Sequence, residues 1–258
     1  MLNAEIREEK MSYLRTKGIV IKETNTGEAD RIVTIFSNSK GKISAAAKGS
    51  KRPKSRLAAG TQLLCYSDFI LFKGSDIYSI NTCDIIEPFY ELRNDIVRLT
   101  HAAHITDIIN DVIQENQPSP RVLQLYLNTL YILSKTQKSP ELVTRIFELR
   151  LLSMLGYAPY VNGCIQCGSE NLDGISFSFH KCGFVCGRCK PSDESAMEIS
   201  TGTAKALYYI VHANIGDLFK FGTSPEVLRE LGIINRRYLR ERLEHDYTKL
   251  DFLRSINL

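Results

Sequence analysis

Cys164-x-x-Cys167 and Cys186-x-x-Cys189 stand eighteen residues apart, and five of the chain's seven cysteines fall between Gly163 and Lys190. Two residues between thiolates let one tight turn aim both sulfurs at a single ion, and a second such turn completes a four-sulfur tetrahedron. The spacing fits the two-pair zinc pattern. Four thiolates leave no open coordination position, so one zinc held here is expected to be structural, folding a segment too short to bury its own core.

Gly168 after the first pair and Gly187 inside the second are expected to supply the positive φ such turns use. Between the pairs, Ile175, Phe177 and Phe179 alternate with Ser176, Ser178 and His180, the period of a strand. Together these features describe a small zinc ribbon. A dithiol redox motif, a disulfide pair and free thiols compete with this reading. In a chain expected to stay in a reducing compartment disulfides are rare, and a redox Cys-x-x-Cys has no reason to occur twice at this separation. Cys182 remains a further candidate ligand, and His180 a weaker one.

A second chemical signal lies in the N-terminal third. From Ser37 to Ser67 there is no Asp or Glu, while Lys40, Lys42, Lys48, Lys51, Arg52, Lys54 and Arg56 supply seven of the chain's 33 basic residues. The net charge of +4 understates this asymmetry, because the rest of the chain carries more acid than base. Local basicity of this kind points to a polyanion, although a charge run is also how a solvated surface looks.

The elements that carry these residues follow from periodicity. Tyr13–Glu23, Asp30–Ser37, Lys42–Ala47, Gln62–Lys73 and Ile77–Asp84 read as five strands, the last two joined at Gly74-Ser75-Asp76. Five strands with one long connection, Lys48–Gly60, between the third and fourth suggest an OB-fold whose basic connection grips nucleic acid. Phe36, Tyr66, Phe69, Phe72 and Tyr78 are aromatics on which bases stack, although a small barrel also needs rings in its core. Cys65 and Cys83 read as buried apolar residues.

After Pro88 the period changes to 3.6. Helices are expected over Leu92–Gln114, Arg121–Lys135 and Pro140–Leu155, the third closed by Gly156. Further helices follow Ser200, follow Ser224-Pro225, and run from Asn235 to Leu243, where Arg/Glu neighbours form solvated pairs or extend a basic surface. His101 and His104 are three apart on the first helix, but no His-Glu-x-x-His arrangement accompanies them, so packing is the better reading.

The fold class expected is therefore α+β and multidomain: a polar leader over 1–10, a five-stranded OB barrel over 11–86, a helical domain over 87–160 and 191–258, and a zinc ribbon over 161–190 inserted in it. At 258 residues and 43% hydrophobic content the chain can bury a real core. No apolar run approaches the roughly 18 residues a bilayer span needs, and the N-terminus has neither the charge nor the apolar core of a targeting peptide, so a cytoplasmic location is expected. Phosphate-loop, dinucleotide and nucleophile motifs are absent, which argues against an enzyme. Clustered carboxylates of a metal-dependent nuclease would not show in sequence.

Three features occur in order: Lys17-Gly18-Ile19-Val20-Ile21 with Gly27-Glu28-Ala29-Asp30-Arg31; Phe147-Glu148-Leu149-Arg150-Leu151-Leu152 leading to Leu155-Gly156-Tyr157-Ala158-Pro159; and the two cysteine pairs. In this combination the chain resembles the RecO family of recombination mediator proteins, over most of Lys17–Lys190 and more weakly beyond. The resemblance implies an OB-fold, a helical domain and a zinc module ligated by Cys164, Cys167, Cys186 and Cys189. It further implies non-enzymatic binding of single- and double-stranded DNA, annealing of complementary strands, and action with RecR and single-strand-binding protein to load the RecA recombinase, in a bacterial cytoplasm at the nucleoid. Cys182 departs from the family pattern, where a small residue such as glycine is expected. Two other readings stay open: a protein-interaction scaffold with a structural ribbon, and a nucleic-acid enzyme that uses the ribbon for stability. Whether Lys181, Arg188 and Lys190 carry DNA onto the ribbon is also open.

Overall fold

Period-two alternation builds the first five strands. In β3 (Gly41–Ala47) Ile43, Ala45 and Ala47 turn inward while Lys42, Ser44 and Ala46 stay half-exposed, and β4 (Tyr66–Lys73) buries Ser67, Phe69 and Leu71 in the same way. A computed structural model describes residues 13–74, 76–171 and 173–256. The leader over 1–10 and Ser75 in the expected hairpin connection lie outside the described residues.

With β1 (Tyr13–Thr26), β2 (Asp30–Ser37) and β5 (Tyr78–Glu87), these strands form a closed barrel in the order β1-β2-β3-β5-β4, the five-stranded Greek-key barrel of an OB-fold. β3 and β5 meet in parallel at Ala45–Tyr78 and Ala46–Ser79, and the other pairings are antiparallel. β1 serves two partners, β4 over Tyr13–Ile19 and β2 over Gly18–Thr26, and the register shift between Val20 and Lys22 supplies the bend this requires. Val20, Val33, Ile35, Phe69, Leu71 and Ile80 are at the centre of the core. Gln62–Cys65, expected as the start of the fourth strand, is a turn instead. Leu64 takes φ 66°, which ends extension, and its N–H donates to Val20 O at 2.9 Å.

This barrel and Ile109–Leu123 form one compact unit, and Tyr90–Ile108 with Gln124–Leu258 form a second. The helices are α1 (Ile96–Val112), α2 (Pro120–Lys135), α3 (Pro140–Leu152), α4 (Thr201–His212), α5 (Pro225–Leu243) and the short α6 (Asp251–Ser255). α1 starts later than its apolar spacing suggests because Asp95 caps it, accepting from the N–H groups of Val97 and Arg98 at 2.9 and 3.1 Å. α3 stops at Leu152 and widens into a π turn over Ser153–Tyr157, within which Gly156 leaves helical geometry at φ 93°. Ser200 and Ser224 cap α4 and α5 as expected. Asn235–Leu243 is not a separate helix. It is the second half of α5, which passes through Gly232 unbroken because no capping residue interrupts it.

Several helix ends are closed by cations from other elements. Lys42 Nζ donates to Asn110 O near the end of α1 at 2.8 Å, Arg98 Nη1 to Thr136 O after α2 at 2.7 Å, and Arg150 Nη2 to Ala213 O after α4 at 2.9 Å. Each meets carbonyls at the negative end of a helix dipole.

In the second unit three short strands, β6 (Ser176–Ser178), β7 (Gly183–Val185) and β8 (Ala196–Glu198), form a sheet in the order β7-β6-β8. β6 is the strand expected from the alternation. β8 is an addition that three residues could not signal. Asp193 ties the sheet together, accepting from Ser178 Oγ at 2.5 Å and Ser195 Oγ at 2.6 Å.

Candidate metal centre and nucleic-acid interface

The two cysteine turns bring their sulfurs together. Gly168 N–H donates to Cys164 O at 2.8 Å and Cys189 N–H to Cys186 O at 2.9 Å, closing each turn. Cys186 N–H points at Cys164 Sγ from 3.4 Å. The four sulfurs of Cys164, Cys167, Cys186 and Cys189 all lie within 4.8 Å of one another. Metal–sulfur bonds of about 2.3 Å in a tetrahedron set its edge at about 3.8 Å, and Cys167 Sγ and Cys186 Sγ are 3.8 Å apart. The donor set fits a divalent cation.

Electrostatics asks for that cation as well. Burial disfavours the Cys164 thiolate, but the N–H groups of Cys186, Cys167 and Gln166 outweigh it and bring the thiol down to about 6. Cys189 is pushed up to about 12, by burial first and then by the neighbouring sulfurs of Cys167, Cys186 and Cys164. Four thiolates this close do not ionise together without a positive charge among them.

Gly168 has the expected φ of 72°, whereas Gly187 is not in the left-handed region. Gly187 is needed for space: a Cβ there would stand 3.0 Å from Asp173 O, the atom that its own N–H donates to at 2.9 Å. Cys182 is outside the sulfur cluster. Its φ is 58°, the conformation for which glycine is the usual residue, and its thiol faces Phe179 O at 3.5 Å. His180 does not join the cluster either.

The basic connection is folded onto the barrel as a series of turns. Asp30 Oδ1 accepts from Gly49 N–H at 2.6 Å, Lys51 N–H donates to Ala29 O at 2.9 Å, and Leu57 packs on the barrel core. Ser50 and Thr61 are fully buried, so the segment is pinned at both ends. Its cations remain outside: Lys48, Lys51, Arg52, Lys54 and Arg56 are exposed, as is Lys40 in the turn between β2 and β3. Among the described residues none of the ion pairs engages them. Lys42 differs, being half-buried with its ammonium spent on the end of α1.

The aromatics divide by face. Phe69 is in the barrel core, and Phe36, on the face of β2 opposite to Val33 and Ile35, is fully buried outside it, so neither offers a stacking surface, while Tyr78 packs against the core from its edge. Phe72 is on the outer face, its ring 4.2 Å from that of Tyr13, an aromatic at the very start of β1 that its sequence context does not single out. Tyr66 is half-exposed. On the ribbon, Lys190 pairs with Glu198 at 2.6 Å and Lys181 bonds the Gln166 side chain, leaving Arg188 exposed.

His101 and His104 do not share a ligand. His101 Nδ1 is 2.8 Å from Thr144 Oγ1, and His104 Nε2 is 2.8 Å from Glu148 Oε1. Glu148 is the centre of a buried cluster, accepting also from Arg145 Nη1 at 3.0 Å and Asn235 Nδ2 at 3.1 Å. Burial alone would raise the Glu148 carboxyl, but Arg145 and His104 prevail and hold it at about 2. Arg145 Nε is buried without a partner, under Gly232 of α5.

Above that arginine, α3 and α5 enclose a groove of about 650 Å³ lined by Arg145, Arg229, Arg236, Arg237 and Arg240, with Leu228, Ile233 and one acid, Glu141. The spacing of Arg229, Arg236 and Arg240 on one helix face is visible in the sequence. The contribution of Arg145, from another helix, is not.

Residues 11–89 match the family model described as "Recombination protein O N terminal", and residues 93–251 match "Recombination protein O C terminal". A protein from Acetivibrio thermocellus named "DNA repair protein RecO" is 62% identical over 96% of this chain and 98% of its own length. Proteins of the same name from Caldicellulosiruptor saccharolyticus and Alkaliphilus metalliredigens are 35% and 32% identical, over 95% and 94% of this chain and 100% and 99% of theirs. The similarity thus runs through barrel, helical unit and cysteine cluster along nearly the full length, and the chain belongs to the RecO family of DNA repair proteins.

Proposed function

We propose that the chain is a non-enzymatic recombination mediator. It binds single- and double-stranded DNA, anneals complementary strands, and acts with RecR to load the RecA recombinase onto DNA coated by single-strand-binding protein, in the cytoplasm at the nucleoid. The observation that carries this reading is the acid-free segment on the barrel, whose exposed cations Lys40, Lys48, Lys51, Arg52, Lys54 and Arg56 have no counter-charge among the described residues. Phosphates would supply it, and a surface that neutralises two strands at once favours their pairing. In this account Lys42 supports the sheet and does not grip DNA directly. The metal is zinc, since a closed four-thiolate shell suits a structural zinc and offers no open position for chemistry.

The arginine-lined groove supports the protein-partner side of the reading. Arg229 and Arg240, with Arg145, Arg236 and Arg237 beside them paired to Glu148, Asp251 and Glu241, surround exposed Ile233 and suit an acidic segment with an apolar residue, the chemistry of the acidic tail on single-strand-binding protein. Arg229→Glu with Arg240→Glu is expected to abolish capture of a labelled tail peptide while leaving oligonucleotide affinity within about twofold; equal loss of both would reject the assignment.

The direct test of the DNA grip is charge reversal of Lys51, Arg52 and Lys54. Affinity for single strands is expected to fall, and the log-log salt slope to flatten by roughly 0.7 for each phosphate that the variant no longer neutralises. If affinity and slope both stay unchanged, the segment is a solvated surface and the scaffold reading takes over.

A further inference from the structure

The ribbon and the groove share a residue. Arg237, on the groove wall, lays its guanidinium over the Phe179 ring with Cζ 3.9 Å from the ring centre, while its Nε donates to Glu241 at 2.7 Å. Phe179 follows β6 directly and is buried, edge-on to Phe177, which in turn meets Tyr238 of α5 at 5.8 Å. The backbone at this point is tied to α5 too, because Arg242 Nη2 donates to Phe179 O at 3.1 Å.

Phe179 is also carried by the β6–β7 hairpin, and β7 ends at Val185, next to the ligand Cys186. The local core beside the sulfurs is only Cys164, Val185 and Cys186 with Cys189 and Ala196. At the sulfur end so small a core does not hold the hairpin without the ion, whereas its other side is packed on α5 through Phe177 and Tyr238. We propose that the metal-held ribbon positions Arg237 for the groove: the cation fixes the β6–β7 hairpin, the hairpin fixes the Phe179 ring, and the ring fixes the guanidinium at the groove wall. Phe179 is then a positioning residue for anion binding on α5, and loss of the metal lowers the groove's affinity for acidic ligands without any groove residue changing.

This inference rests on the groove reading for its ligand, but its geometry is testable alone. Aromatic ring current shifts the Arg237 side-chain resonances upfield in zinc-loaded protein. That shift is expected to vanish on removal of the metal with a chelator, and in Phe179→Leu, which keeps an apolar side chain and full zinc content. A fluorescein-labelled hexa-aspartate peptide with a terminal leucine reads the groove. Its affinity is expected to fall roughly two- to fivefold in Phe179→Leu, with no further loss when Arg237→Lys is added. An Arg237 shift that persists after the metal is gone, or a Phe179→Leu protein that binds the peptide as tightly as the parent, overturns the proposal. If the parent binds no peptide while the shift still follows the metal, the groove reading fails and the positioning stands.

Discussion

Removal of the metal bound by the four cysteines is expected to unfold the ribbon. The strands β6, β7 and β8 are three residues each, and the apolar core beside the sulfurs consists largely of the ligands themselves. Binding of a structural zinc by four thiolates contributes on the order of 10 kcal/mol of folding free energy. Chelation, or Cys167→Ser, is expected to eliminate amide protection at Phe177 and Phe184, while the protection of Ile35 and Phe69 in the barrel core is unchanged. Elemental analysis should give one zinc per chain in the parent and in Cys182→Ser, and none in Cys164→Ser. Retention of ribbon protection after quantitative metal loss would refute the account of how this segment folds.

The second large effect comes from Glu148. Glu148→Ala removes the acceptor of His104, Arg145 and Asn235 together and leaves the Arg145 guanidinium buried without its main counter-charge. Breaking such a pair costs about 3–5 kcal/mol, whereas Arg145→Met with Glu148→Leu, which removes both charges, is expected to cost less than either single change. Urea midpoints measure the difference.

The same cluster sets the acid limb of stability. Glu148 is held near 2, below its ordinary value of 4.5, so its contribution is present above about pH 4.5 and is lost as pH falls toward 2. His101 is pushed down to about 4, by burial first and then by the charge of Arg145. Between its ordinary 6.5 and 4 the unfolded chain takes a proton that the folded chain refuses, so stability declines as pH falls through that window. His101→Gln is expected to flatten this part of the profile relative to the parent. An unaltered profile would show that His101 titrates normally.

Where structure follows from local chemistry, it was legible. The cysteine turns, the five strands and the serine caps of α4 and α5 each depend on residues a few positions apart. Legibility ended where a distant group decides the outcome. Lys42 looks like any other lysine of the basic run until the end of α1 arrives beside it. Phe69 and Phe72 are three apart on one strand and so face opposite ways, and only the closure of the barrel decides which of them is inside. Gly187 resembles a turn glycine, and the reason for it is the approach of Asp173 O. The buried acid Glu148 carries no signal of its own in the sequence, because its partners come from α1, α3 and α5.

DNA binding by the barrel is measured most directly by a fluorescence-anisotropy titration of a labelled single-stranded oligonucleotide with zinc-loaded protein across a range of salt concentrations. Tight binding is expected, with an affinity that falls steeply and linearly with salt on logarithmic axes, because phosphate neutralisation by the barrel's cations releases counterions. No binding even at low salt would contradict it and leave a scaffold with a solvated basic surface.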